Sequence, residues 1–266
     1  MVHNQSSPPG FLSIGNVISA GIRIYRDHFQ AYFIEALRCY LWAFVPVYGW
    51  AKLLAIQGMI GRLAFQEVIE QPESVPEARL RVKPRLWTFL LAALFTFLVF
   101  LGFFVVVGIA IVVLIGVTVA VSQVNPLLSV IVGILIGVFS LFAVFAYIWL
   151  FSRLAFTDLA IAIESINEPM KAIRRSWQLS EGYVIKLQTI YFVAFLITIP
   201  ISIISNLGTI ILGDENTMAP IIDLALTVLT GAFILPFWQA IKSVIYYDLK
   251  VRKEGVDLLD APMEQE

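Results

Sequence analysis

The sequence predicts an all-α polytopic membrane protein: six transmembrane helices arranged as three helical hairpins, with amphipathic helices at the interface and both termini cytoplasmic. Three observations carry that prediction. Of 266 residues, 59% are apolar and 14% charged, against about 45–50% and about 25% in soluble domains. The 67 residues from Leu86 to Ser152 contain no Lys, Arg, Asp or Glu; at about 1.5 Å per helical residue, this run alone crosses a ~30 Å hydrocarbon core twice. The charge that remains is asymmetrically placed, with 14 of the 18 basic residues on one side of a six-span count, the side that the positive-inside rule makes cytoplasmic.

Residues 1–12 carry neither the basic n-region nor the apolar core of a secretory signal and are expected to form a disordered leader. Residues 13–29 place Ile14, Val17, Ile18, Gly21, Ile22, Tyr25 and Phe29 at helical spacing behind a Ser13 N-cap, with Asn16, Ser19, Arg23 and Arg26 largely opposite. That pattern reads as a helix in the cytoplasmic interface, its basic face toward anionic headgroups; the alternative is a helix folded on the bundle. Spans 1 and 2, Phe29–Val45 and Trp50–Ile69, flank the turn-like Pro46-Val47-Tyr48-Gly49 and carry Glu35, Arg38, Lys52 and Arg62. Arg79, Arg81, Lys83 and Arg85 then lead into span 3, residues 86–120. At 35 residues it is overlong, which implies tilt, protrusion, or a bend near Gly102, Gly108 or Gly116.

The polar Ser122-Gln123-Val124-Asn125-Pro126 separates span 3 from span 4, residues 127–152. A second amphipathic helix is expected over 168–181, with Pro169 in its first turn, Met170, Ile173 and Trp177 on one face, Lys171, Arg174, Arg175 and Gln178 elsewhere, and Gly182 at its stop. Span 5 is the 27 uncharged residues Leu187–Gly213, and span 6 runs about 220–247, with Asp223 and Lys242 near its ends. Residues 13–249 thus read as one membrane domain with hairpins at about 13–70, 78–164 and 168–249, followed by a cytoplasmic tail, 250–266.

The even spans end alike: Arg62-Leu63-Ala64-Phe65-Gln66-Glu67, Arg153-Leu154-Ala155-Phe156-Thr157-Asp158 and Ser243-Val244-Ile245-Tyr246-Tyr247-Asp248, at offsets of 91 and 90. Basic segments at Arg23, Arg81 and Arg174 precede the odd spans. The simplest reading is an internal repeat of three hairpins, in which the equivalent acids Glu67, Asp158 and Asp248 each pair with an arginine of a neighbouring hairpin.

Candidate chemistry is sparse. The two histidines, His3 and His28, and the single Cys39 leave no zinc motif, phosphate loop or C-x-x-C, so no cofactor and no metal are expected. Ionisable groups within spans are costly and mark function by default. Glu35 and Arg38, three apart, form either a self-neutralising pair or part of a substrate path, while Lys52, Arg62 and Lys242 lie within snorkelling reach of an interface. Pro200 and Pro236 interrupt the last two spans, as ordinary kinks or as the broken helices of a transporter site. Ser129, Gly133 and Gly137 form a small-residue stripe suited to close helix packing, expected within the monomer rather than between copies. Arg23, Arg26, Arg174, Arg175 and Trp177 are the expected lipid contacts.

The string Tyr246-Tyr247-Asp248-Leu249-Lys250-Val251-Arg252-Lys253-Glu254-Gly255-Val256-Asp257-Leu258, with Arg175-Ser176-Trp177 before span 5, resembles the bacterial glycerophosphoryl diester phosphodiesterase membrane domain family and its uncharacterised relatives. The resemblance is best over the C-terminal part of the chain. In some members this membrane region accompanies a soluble phosphodiesterase barrel, for which this chain has no room, so the resemblance implies membrane architecture without the enzymatic activity. The expected function is a non-catalytic, lipid-facing scaffold or accessory of a bacterial-type cytoplasmic membrane, or of an internal membrane of the same topology. Its expected partners are membrane lipids and a membrane protein. The net charge of −1 gives no global field for nucleic acid. The competing classes are a small-solute or lipid transporter with a site among the hairpins, and, more remotely, a membrane enzyme of lipid metabolism.

Overall fold

A computed structural model describes residues 13–213 and 216–255. The expected leader and residues 256–266 of the expected tail lie outside them, as do Asp214 and Glu215. Among the described residues there are eleven α-helices and no strand. Four stretches are long and apolar enough to cross a membrane: Val75–Ser122, Leu127–Ile163, Val184–Leu212 and Ala219–Glu254.

Helix α1 (Ile14–Asp27) begins where Ser13 Oγ accepts the amide N–H of Asn16 at 3.2 Å. Its apolar face does not lie on lipid but packs into the bundle: Val17, Ile18, Ile24 and Tyr25 are buried. Gly21 sits so close to α11 (Ala219–Glu254) that an added Cβ would meet Ile241 Cγ1 at 2.7 Å. Pro236 inside α11 leaves a carbonyl unpaired one turn earlier, and the hydroxyl of Tyr25 donates to the neighbouring carbonyl of Phe233 at 2.8 Å. The sequence pattern supplies an apolar stripe; what covers it is a tertiary fact.

Helices α2 (Phe29–Trp42) and α3 (Tyr48–Val68) follow. Neither is among the four long apolar stretches, and α2 stops three residues before the expected end of span 1. Its 14 residues measure about 21 Å, short of a ~30 Å core. The turn between them is tight: Tyr48 N–H donates to Pro46 O at 2.7 Å across Val47, whose φ is +60°. Gly49 leaves no space for a Cβ, which would meet Trp42 O at 2.2 Å.

Helix α4 (Val75–Val82) opens with a capping box in which Ser74 and Glu77 satisfy each other's backbone N–H groups. It continues through a 3₁₀ turn, Lys83–Arg85, into α5 (Leu86–Ser122). α5 is one continuous helix without a break at its glycines, about 55 Å long for 37 residues. It turns at Gln123–Asn125, and Asn125 caps α6 (Pro126–Leu154) by accepting Leu127 N–H at 2.9 Å. α5 buries only Thr88, Phe89 and Ala92. Beyond them it runs beside α6, with Phe100, Phe103 and Phe104 around Tyr147 at centroid distances of 5.5–6.4 Å. No heavy atom comes within 4 Å of where a Cβ would stand on Gly133 or Gly137, so the small-residue stripe that includes Ser129 is not a packing seam within the monomer.

The stretch Leu127–Ile163, the expected span 4, does not end at residue 152. It breaks at Ala155–Phe156 and resumes as α7 (Thr157–Ile163), which carries Asp158. Ser176 Oγ fills the break, accepting Phe156 N–H at 3.1 Å and donating to Arg153 O at 2.7 Å. Ser176 belongs to α8 (Pro169–Ser180), whose buried face is Ala172, Ser176, Leu179 and Ser180 rather than the expected Met170–Trp177 face, which is exposed at both of those residues. Small side chains are inside because α8 lies tight on the break. α9 (Val184–Ile203) tightens into a 3₁₀ turn after Pro200 and restarts as α10 (Leu207–Leu212). Asp223 caps that restart, accepting Gly208 N–H at 2.7 Å and the Thr209 hydroxyl at 2.5 Å. α11 runs through Lys250 to Glu254, so the described start of the expected tail is helix.

The core sits at one end, where α3, α7 and α11 meet and α1, α4 and α8 close around them. Phe156, Leu159, Ile161, Ile241 and Tyr246 are almost wholly excluded from solvent. Gly61 permits α3 and α7 to approach closely: a Cβ there would stand 2.3 Å from Leu159 Cδ2, and the Ser243 hydroxyl donates to its carbonyl at 2.7 Å.

Candidate functional site

The ionisable side chains gather around this core and in one lateral cavity beside it. Arg62, with a side chain 3% exposed, does not snorkel. Its Nε donates to Glu73 Oε2 at 2.7 Å and its Nη1 to the carbonyl of Ala162 at 2.8 Å; Arg81 holds the same carboxylate at 3.0 Å. Arg175 faces inward rather than toward lipid, donating from Nε and Nη2 to Glu164 at 2.8–3.0 Å and contacting Glu254. Tyr246 O–H donates to Glu164 at 2.6 Å. Burial alone pushes the Glu164 carboxyl up, but the hydrogen bonds from Arg175 and Tyr246 outweigh it and hold the group below its usual range.

The three acids expected to be equivalent are partnered differently from expectation. Glu67 lies 3.2 Å from His28 Nε2; Asp158 accepts from Lys242 at 2.7 Å and Gln239 at 3.0 Å; Asp248 accepts from Arg252 at 3.0 Å, with Lys186 at 3.9 Å. Arg81 is engaged by Glu73, and Arg23 and Arg174 stand exposed. Glu67 stands near the end of α3, Asp158 in the first turn of α7 and Asp248 inside α11, and among the described residues none of the three pairs with Arg23, Arg81 or Arg174. Lys242 is likewise bound inside the bundle rather than reaching for an interface. Arg26 pairs with its neighbour Asp27 in solvent, and Trp177 packs edge-on to Trp149 at 5.3 Å, with the Arg153 guanidinium 5.1 Å from its ring centre.

The lateral cavity, of about 550 Å³, opens between α2, α3 and the α4–α5 junction. Glu35 is 4% exposed and is clasped by Arg38 at 2.5 Å and by Arg79 at 2.8 and 2.9 Å to its two oxygens. Across the cavity Lys52 Nζ stands 3.7 Å from the ring centre of Trp42 and 4.8 Å from that of Tyr48, a cation–π arrangement. Lys83 joins them, and Ala55, Ile56, Met59, Val82 and Leu86 supply an apolar wall. Four cations face one carboxylate. Such a cavity holds an anion by charge and an apolar chain by contact. Sequence reasoning singled out Glu35 and Arg38, as a self-neutralising pair or part of a substrate path, and did not join to them Arg79 and Lys83, which it read as part of the cytoplasmic basic segment before span 3. The repeat spacing of 91 also connects Glu73 to Glu164, the signal by which both were findable.

Comparison with curated proteins and with solved structures gives no match to this chain. A family model matches residues 43–249, from the end of α2 through nearly all of α11. The match carries no link to the phosphodiesterase membrane domain that the C-terminal string resembles. Because it spans most of the chain, the protein belongs to the family described as Domain of unknown function (DUF7847).

Proposed function

We propose that the protein is a non-catalytic, lipid-facing scaffold or accessory of a bacterial-type cytoplasmic membrane, with the ion-paired end of the bundle cytoplasmic. The observation that carries this reading is the division of the molecule. The long helices α5 and α6 present large apolar side chains outward along most of their length, while Arg62, Glu73, Glu164 and Arg175 neutralise one another at the opposite end. A lipid-exposed surface of this kind offers nothing polar to a solute. The three-unit architecture is supported by side chains at equivalent positions: Phe65 and Phe156 both pack on Tyr246, at centroid distances of 5.9 and 6.1 Å. The segments after α3, α7 and α11 each carry a residue of positive φ, Glu70, Ser165 and Gly255. The first unit, with its short α2, enters and leaves the bilayer on one side or crosses it thinly; either way the sidedness of the four long stretches is unchanged.

A second reading, a transporter, is favoured by one observation: Asp158 and Lys242 border a cavity of about 390 Å³ whose other walls include Gln57 and Thr96. One experiment separates the two. In a Cys39→Ala background, Val124→Cys and Met218→Cys are expected to react with a membrane-impermeant maleimide on intact cells, and Glu77→Cys and Lys171→Cys only after permeabilisation. Thr96→Cys stays unlabelled if the bundle is a closed scaffold. Labelling of Thr96→Cys from either side establishes a water path and makes the protein a transporter, whereas reversal of the Val124 and Glu77 results overturns the topology.

A further inference from the structure

We infer that the cavity between α2, α3 and α4 is a binding site for an anionic phospholipid, its phosphodiester headgroup held by Lys52, Lys83, Arg38 and Arg79 and its acyl chain laid along the apolar wall. The inference rests on the membrane reading above and assigns to it a specific ligand class.

Charge comes first. Glu35 takes one positive charge from the Arg38–Arg79 pair, and among the described residues neither Lys52 nor Lys83 has a carboxylate partner, so the cavity keeps an excess of three positive charges. Arg38 and Arg79 are each fixed by one nitrogen on Glu35 and are about half exposed, leaving guanidinium N–H groups free to donate. A guanidinium fork with a lysine point charge is the donor set that matches phosphate oxygens. Glu35 pre-positions the arginines rather than cancelling the field.

Position and shape then choose lipid over a free anion. The cavity lies where the charged α4 passes into the uncharged α5, at Lys83–Leu86, which is headgroup level for a chain whose basic residues mark the cytoplasmic interface. Its wall from Ala55 to Met59 and at Leu86 is apolar, and the adjoining tip of α2 and α3 exposes Leu41, Phe44 and Trp50. A small soluble phosphate would leave that wall in water; an acyl chain covers it. The volume suits a headgroup and the first part of one chain.

The test uses the full chain in neutral-detergent micelles titrated with phosphatidylglycerol, with phosphatidylcholine and with glycerol phosphate, bound ligand being read by native mass spectrometry. Phosphatidylglycerol is expected to bind selectively. The double variant Lys52→Gln/Lys83→Gln, which orphans no acid, should weaken it on the order of tenfold or more, since each basic residue near a headgroup contributes measurably, while Lys171→Gln, on α8 and outside the cavity lining, should not. Unchanged binding in the double variant, or equal retention of phosphatidylcholine, overturns the site. Glycerol phosphate binding as tightly as the lipid, and lost in the same variant, overturns the lipid as occupant. Extraction of the protein from membranes without detergent would instead remove the membrane reading itself, an outcome distinct from all of these.

Discussion

Glu73→Gln should destabilise the protein far more than its place in a loop implies. The carboxylate faces Arg62, whose side chain is 3% exposed. After the substitution that guanidinium keeps the carbonyl of Ala162 at 2.8 Å and loses its only anionic partner among the described residues. Leaving a buried charge unpaired costs about 3–5 kcal/mol. Arg62→Met behaves differently: Glu73 retains Arg81 at 3.0 Å, a residue more than half exposed, so the remaining loss is one acceptor and some packing, about 1–3 kcal/mol. The double variant Arg62→Met/Glu73→Gln should lie near the Arg62→Met value, because no buried charge then remains to be orphaned, giving a coupling equal in size to the Glu73→Gln cost, about 3–5 kcal/mol. SDS titration in mixed micelles, followed by tryptophan fluorescence, measures all three. Glu73→Gln within about 0.5 kcal/mol of wild type, the range of a surface change, or a double variant equal to the sum of the singles, would refute the reasoning.

Glu164 makes stability acid-sensitive. Its folded carboxyl titrates below the unfolded value of about 4.3, so its contribution is complete above that value and is lost as pH falls through the folded one; Glu164→Gln should flatten the SDS-midpoint curve in that acid window, and parallel curves would contradict the assignment. Gly21→Ala should cost about 1–3 kcal/mol by driving a methyl into Ile241, whereas a helix lying on lipid would tolerate it, so an unchanged melting temperature restores the interfacial placement of α1. Val47→Gly should be stabilising by roughly 0.5–1 kcal/mol, since a β-branched residue at φ +60° is strained and glycine returns part of the gain as entropy; a lowered midpoint would argue against that turn. Gly133→Ile with Gly137→Ile should leave monomer stability within about 0.5 kcal/mol, and a large loss would mean that the stripe is covered after all.

What was legible in the sequence is what depends on neighbours along the chain. The absence of charge from Leu86 to Ser152 locates α5 and α6 within two residues, Asn125-Pro126 marks the turn between them, and Ser13 and Pro169 mark helix starts. Hydropathy overestimates α2 because it counts Ala43 to Val45 as continuing helix, whereas the close turn at Val47 and Gly49 needs those residues. The amphipathic stripe of α1 identifies a face but not whether protein or lipid meets it. The cavity was illegible for a different reason: its cations come from positions 38, 52, 79 and 83, read separately as one of a Glu35 pair, a snorkelling lysine and two residues of the segment before span 3, and none is adjacent in sequence to another. Only the fold, by laying α4 across α2 and α3, gives them a common target.

The long pair α5 and α6 is rooted shallowly. Thr88, Phe89 and Ala92 are its buried anchor on the α5 side, with Thr88 Oγ1 donating to the carbonyl of Asn167 at 2.9 Å, while more than 20 further residues of each helix extend beyond the core. Mechanically it is a lever on a short fulcrum. If the pair spans the bilayer as proposed, a thickness mismatch would act on its full length at a fraction of a kcal/mol per Å, and the load would be carried by this short joint, next to the Lys83 and Leu86 side of the basic cavity.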